Sequence, residues 1–178
     1  SIMNARKSGN SLGGIIECVS TGLPVGLGEP VFSSLESDLS KALFSIPAVK
    51  AIEFGSGFEG TKRTGYENND LFIKEEGKVI TLTNNCGGIL GGLSNGMPLT
   101  IRIGFKPAAS IAKTQKTLDL SSNSLVDLQV PGRHDPCVVP RAPPIVEGIV
   151  SIVLSDHAIK AGFIPMVLKG YWNGWTTE

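Results

Sequence analysis

The stretch GRHDPCVVPRAPP, residues 132 to 144, sets a guanidinium, an imidazole and a carboxylate in succession at Arg133, His134 and Asp135. An arginine in such a loop can grip a phosphate or carboxylate through two parallel hydrogen bonds. Histidine and aspartate are side chains that carry protons in general acid and base catalysis. Neighbouring side chains on a looped backbone diverge, however, so a His-Asp relay needs a bend between them. The bland reading is a loop ion pair between Arg133 and Asp135, worth only ~0 to 1 kcal/mol. The loop lies ahead of an apolar helix whose amino end favours anions, although Pro143 and Pro144 remove two backbone donors there.

Two other stretches could bear on a ligand. GGILGGLSNG, residues 87 to 96, has neither the phosphate-loop nor the dinucleotide-fold spacing of glycines. It reads either as tight turns and close packing or as a backbone lying flat against a planar ligand. Lys106, with PAAS behind it, could offer an ammonium and the Ser110 hydroxyl to a phosphate, and equally reads as a solvated lysine at a strand end. Cys86 and Cys137 read as small hydrophobes rather than nucleophiles, and His157 as a packed or surface histidine. No serine or cysteine triad and no metal cluster can be assembled, so no metal is expected.

These groups need elements to hold them. LGGIIECVSTG reads as a strand, followed by a turn-rich connection to a helix. Ser33 and Glu36 have capping-box spacing, and Leu35, Leu39, Ala42 and Leu43 give one apolar face up to about Ser45. AVKAIEFGSGF is a second strand, residues 55 to 78 predict a long surface loop, and KVITLTNN is strand-like. In LTIRIGFKP, Leu99, Ile101, Ile103 and Phe105 point one way, and Thr100, Arg102, Gly104 and Lys106 the other, so Lys106 ends a half-buried strand. Residues 107 to 131 are mostly polar with an apolar patch at 125 to 130. A second helix starts near Pro143 or Pro144, with Ile145, Ile149, Ile152 and Val153 as its buried stripe. Strands and helices mixed without strict alternation suggest an α+β fold with an antiparallel sheet.

Composition narrows the function classes. The 178 residues fit a single unit, 1–178, able to bury roughly 70% of its extended surface. Sixteen lysines and arginines balance sixteen aspartates and glutamates, so net charge proposes neither nucleic acid nor an anionic membrane as partner. No apolar run reaches the roughly 18 residues of a membrane span. Three scattered cysteines fit a reducing, cytoplasmic setting. With no initiator methionine and no apolar pattern before Leu12, the chain reads as beginning partway through a longer parent.

In order, NSLGGIIECVSTGLPVGLGEPVFSSLESDLSKALFSIPAVKAIEFGSGF, ENNDLF, NNCGGILGGLSNGMPLTIRIGFKP and GRHDPCVVPRAPPIVEGIVSIVLSDH resemble the conserved run of the chorismate synthase family. The resemblance covers most of residues 10 to 157 and looks like the carboxy-terminal half of that enzyme, the amino-terminal half being absent. It implies helices sandwiched between antiparallel sheets and a homotetramer. It also implies the redox-neutral 1,4-elimination of phosphate from 5-enolpyruvylshikimate 3-phosphate, with reduced FMN as cofactor and NADPH as a possible reductant. By the same resemblance, Arg133 matches an arginine beside the flavin and substrate anions, and Gly91 and the segment Lys106, Pro107, Ala108, Ala109, Ser110 match flavin-contacting positions.

Asp135 matches the aspartate near nitrogen 5 of the flavin, which implies that it is the base managing the flavin proton. A free aspartate, with a pKa of about 3.9, needs burial to serve as such a base. Ala108 stands where the family usually has threonine, and Tyr66 where it has a smaller residue. The family's further histidines, arginines and RSSARET-like motif have no counterpart here, so the isolated chain is expected to be inactive. The competing expectation is a non-catalytic folding or oligomerisation module of the same fold.

Overall fold

The computed structural model describes residues 1–167; the tail GYWNGWTTE, whose role the sequence leaves open, lies outside them. A short helix α1 (Ile2–Lys7) leads into strand β1 (Gly14–Ser20), and helix α2 (Leu35–Leu43) precedes strand β2 (Val49–Phe54). One helical turn, α3 (Gly65–Asn68), is followed by the hairpin β3 (Phe72–Glu75) and β4 (Lys78–Thr81). The two-residue strands β5 (Ile89–Leu90) and β6 (Leu93–Ser94) come before β7 (Leu99–Phe105). A last hairpin, β8 (Gln115–Asp119) and β9 (Ser124–Leu128), leads through the RHD loop to helix α4 (Pro143–Lys160).

The centre is a three-stranded sheet in the order β1-β7-β2 with both pairings antiparallel. β7 is the middle strand because its alternation is the cleanest: Leu99, Ile101, Ile103 and Phe105 are all buried and their intervening neighbours are not. That face packs beneath α2 and α4, where Leu35, Leu39 and Leu43 of α2 and Val146 and Val150 of α4 complete one core. Burying each such side chain is worth roughly 1.5 to 3 kcal/mol. The α+β architecture with antiparallel sheets is the one the pattern suggests.

Four local readings change. Ser34, not Ser33, caps α2, its hydroxyl accepting from the Ser37 amide, which leaves Glu36 out of reciprocal register. The amide of Leu35 donates to the Gly92 carbonyl at 2.9 Å, and this tertiary bond fixes where the helix begins. The expected loop over 55 to 78 contains a 3-10 turn at Gly57–Lys62, the turn α3 with a Thr64–Glu67 capping box, and strand β3. Residues 107 to 131 hold the β8–β9 hairpin, invisible to periodicity because β9 buries neither face.

The stripe of α4 is also rotated. Val146, Val150 and His157 are its buried residues, with Ile149 and Val153 partly covered, while Ile145 and Ile152 are 51% and 69% exposed. A helix apolar on several sides offers more than one stripe, so spacing alone could not choose. His157 is buried against α2, with Nε2 3.1 Å from Asp38 Oδ2 but off the line a hydrogen bond requires.

Candidate functional site

The end of β7 and the RHD loop meet at one end of the sheet. The Lys106 amide donates to the Ala48 carbonyl at 2.9 Å, the Ala108 carbonyl accepts from the Ser11 hydroxyl at 2.6 Å, and the Ala109 carbonyl accepts from Gln115 Nε2 at 3.4 Å. The backbone of Lys106 to Ser110 is thus fastened from three sides while the Lys106 and Ser110 side chains stay exposed. Gly13 permits the approach: a Cβ there would stand 2.2 Å from the Phe105 carbonyl oxygen and 3.1 Å from the Pro107 ring.

The RHD loop is tied to the start of β1, where the Leu12 amide donates to the Pro136 carbonyl at 2.8 Å and Leu12 and Cys137 form an isolated bridge. Beyond it, the 3-10 turn Val139–Arg141 folds the chain back, so that the Arg141 guanidinium donates to Asp135 Oδ2. The loop pair of Arg133 with Asp135 is therefore not formed. Arg133 is exposed and enters no ion pair among the described residues.

His134 turns away from Asp135, as neighbours on a looped backbone do. Its Nε2 lies 2.9 Å from the Val130 carbonyl oxygen and its Nδ1 3.1 Å from Ser110 Oγ. Asp135 itself is 40% exposed in its side chain, so within this chain it lacks the burial that the reading of it as a base called for. The amino end of α4 offers no N–H at Pro143 or Pro144 and no side-chain cap, and Arg141 is the cation beside it.

Next to Arg141 runs an apolar trough of about 410 Å³, lined by Ile46, Pro47, Val138, Arg141, Ala142 and Ile145. Its Pro47 adjoins the Ala48 that holds Lys106. Lys106, Ser110, His134, Asp135 and Arg141 thus surround one end of the sheet. Gly91 is not among them. It forms, with Gly92, the β5–β6 turn, both residues at positive φ (62° and 87°) as a two-residue hairpin turn needs. That turn sits at the amino end of α2, near the start of β7. The length of a seven-residue strand, roughly 20 Å, separates it from Lys106. A Cβ on Gly91 would meet nothing within 4 Å, so its backbone is open to a neighbour.

Sequence reasoning missed Arg141 and the Ser110–His134 contact. The first was visible as an arginine six residues beyond Asp135 with a proline before it; the second joins residues 24 apart and had no local signal. It also missed the role of Asp70 in ENNDLF. The Asp70 carboxylate accepts from the Thr83 hydroxyl at 2.6 Å and from the Asn85 and Cys86 amides at 2.8 and 2.9 Å. Partial burial works to raise this carboxyl, but the three donors outweigh it and hold the group below the usual carboxylate range. The Cys86 thiol next to it is pushed up by burial and then by Asp70. No group of three potential metal ligands is found among the described residues, and none of their helices is long and apolar enough to cross a membrane.

Fold and site together define an α+β protein that sets Lys106, Arg141, the Asp135 carboxylate and an apolar trough at one end of an antiparallel sheet. The comparisons with known proteins narrow this. The family model described as chorismate synthase matches residues 1–159. A chorismate synthase of Dehalococcoides mccartyi is 52% identical over 168 residues, covering 94% of this chain and 46% of that protein. One from Methanosarcina mazei is 49% identical, covering 93% and 46%, and one from Prochlorococcus marinus 56% identical, covering 86% and 42%. A crystal structure of chorismate synthase superposes with a TM-score of 0.72 at 29% identity, over 90% of this chain and 41% of that one. The chain belongs to the chorismate synthase family, and it spans about half the length of the curated relatives it matches.

Proposed function

We propose that this chain supplies one wall of a site that converts 5-enolpyruvylshikimate 3-phosphate to chorismate and phosphate by anti-1,4-elimination, a carbon-oxygen lyase step in aromatic amino acid biosynthesis. The observation that carries the reading is the convergence of Lys106, Asp135 and Arg141 on one sheet end beside an apolar trough, with the exposed Arg133 on the same loop as Asp135. The similarity to the chorismate synthases of Dehalococcoides mccartyi and Methanosarcina mazei supports it. The residues fit reduced FMN: an apolar trough suits one face of a ring system, and the exposed Lys106 and Arg133, which enter no ion pair among the described residues, suit a phosphate. When bound, the flavin supplies transient electron density as phosphate leaves.

This chain's own residues bind and orient. Lys106 and Arg133 contribute positive charge toward the flavin phosphate and the substrate anions, where opposed charge in a partly desolvated cleft is stronger than in water. Arg141 holds Asp135 Oδ2, which leaves Oδ1 as the oxygen that takes or returns a proton. The apolar lining excludes water from that side. NADPH as reductant, a homotetrameric assembly and a cytoplasmic setting are parts of the same proposal, drawn from the family resemblance.

The isolated chain is expected to form no chorismate, since among the described residues that rim holds one carboxylate, Asp135, and the His134 ring is already engaged by Ser110 and the Val130 carbonyl. The test is titration of the 178-residue chain with FMN, followed by flavin fluorescence, with and without 5-enolpyruvylshikimate 3-phosphate. Substrate-enhanced binding is the expected result. Absence of binding up to millimolar FMN would favour the reading as a folding or oligomerisation module.

A further inference from the structure

The ring of His134 sits between an atom that can only accept a hydrogen bond and one that can either donate or accept. The Val130 carbonyl, 2.9 Å from Nε2, only accepts, so Nε2 carries the ring proton. In the neutral ring Nδ1 is then a bare lone pair, 3.1 Å from Ser110 Oγ. A hydroxyl has one proton and two lone pairs, and the Ser110 proton is the one available to that nitrogen. What remains on Ser110, which is exposed at the rim, is acceptor capacity alone.

We propose that His134 is a positioning residue that fixes Ser110 as a hydrogen-bond acceptor, so that this corner of the site takes an N–H or O–H of the ligand and not an anionic oxygen. Resting on the flavin reading above, this assigns Ser110 to an imide N–H or a sugar-alcohol hydroxyl of the flavin. The phosphate is left to Lys106 and Arg133. The sequence reading of Ser110 as a phosphate donor is replaced by one in which its proton is already committed.

Two measurements test it. The first needs no ligand: 15N NMR of the histidine rings in the intact 178-residue chain, with His157→Gln to assign the two. The expected result for His134 is a proton on Nε2 and a bare, pyridine-like Nδ1; a proton on Nδ1 overturns the proposal. The second is flavin affinity by fluorescence for FMN and for riboflavin, which lacks the phosphate. Ser110→Ala is expected to weaken both by the same factor, roughly five- to tenfold. His134→Leu should cost as much, the double variant no more, and His134→Asn, which keeps an acceptor at the Nδ1 position, should stay within about twofold of the parent. A loss confined to FMN, or additive losses in the double variant, overturns the proposal. Failure of both flavins to bind sinks the flavin reading and leaves the His134 tautomer to be judged by NMR.

Discussion

Arg141 holds one oxygen of Asp135, and replacing the carboxylate tests the proposed proton-transfer role of the other. In a full-length relative carrying this rim, Asp135→Asn is expected to lower kcat by roughly 100-fold or more, the usual scale for a lost proton-transfer group. Flavin affinity should stay within a few-fold, because the amide keeps an oxygen for Arg141. Steady-state kinetics with a parallel flavin titration separates the two quantities, and an equal loss in both would make Asp135 a binding group only.

Asp70 is a second carboxylate whose substitution is informative, and its task is structural. It holds three donors from the segment that enters the β5–β6 hairpin, so Asp70→Asn should destabilise the chain at pH 7 by about 1 to 2 kcal/mol in urea unfolding. Because its folded-state pKa is depressed, its contribution is present above the unfolded value of about 3.9 and lost as pH falls through the lower folded value. The variant should therefore converge with the parent on acidification below about pH 4. At this scale the RHD motif told where to look but not what touches what: Asp135 found Arg141 rather than Arg133, and Ser110 found His134 across a hairpin. Tyr66, a departure from the family pattern, is 95% exposed, so its size meets no constraint within the chain.

Elements with one buried face were legible, and elements without one were not. β7 writes its alternation because α2 and α4 cover one side only, whereas β9 is exposed throughout and leaves only propensity to read. The start of α2 slipped by one serine because the Gly92 carbonyl, 57 residues away, chooses the first helical amide. Ser34→Ala should cost about 1 kcal/mol and Ser33→Ala much less, a contrast that thermal unfolding can read. The connection before α2 also holds Val31 at φ 73°, an unfavourable conformation for a β-branched residue. Val31→Gly is expected to raise the unfolding free energy, by up to about 1 kcal/mol, and a loss there would show that the Val31 side chain packs in solution.

At the scale of the whole molecule, one buried core lies between the central sheet and the helices α2 and α4. Leu39→Ala at its centre should cost about 2 to 5 kcal/mol and unfold the sheet and both helices in one transition, by circular dichroism and amide hydrogen exchange together. The fold class was readable because the sheet and the two long helices carry most of the apolar pattern. The candidate site was readable only as separate stretches, since its assembly depends on Gly13, Ala48 and Ser11 bringing the end of β7 against the RHD loop. Gly91 at the opposite sheet end is the position the fold does not gather with the others.

The β8–β9 hairpin joins the two halves of that rim in sequence while taking no part in the core, and its turn, residues 120 to 123, is exposed. That makes it a natural place for a protease to nick the chain. The fragment before the cut retains β1, β2, β7 and α2, and the fragment after it retains Asp135 and α4, packed on one another through the shared core. A nicked molecule should therefore run as two pieces on a denaturing gel yet migrate as one on a native gel, a split protein whose halves can be exchanged and labelled separately.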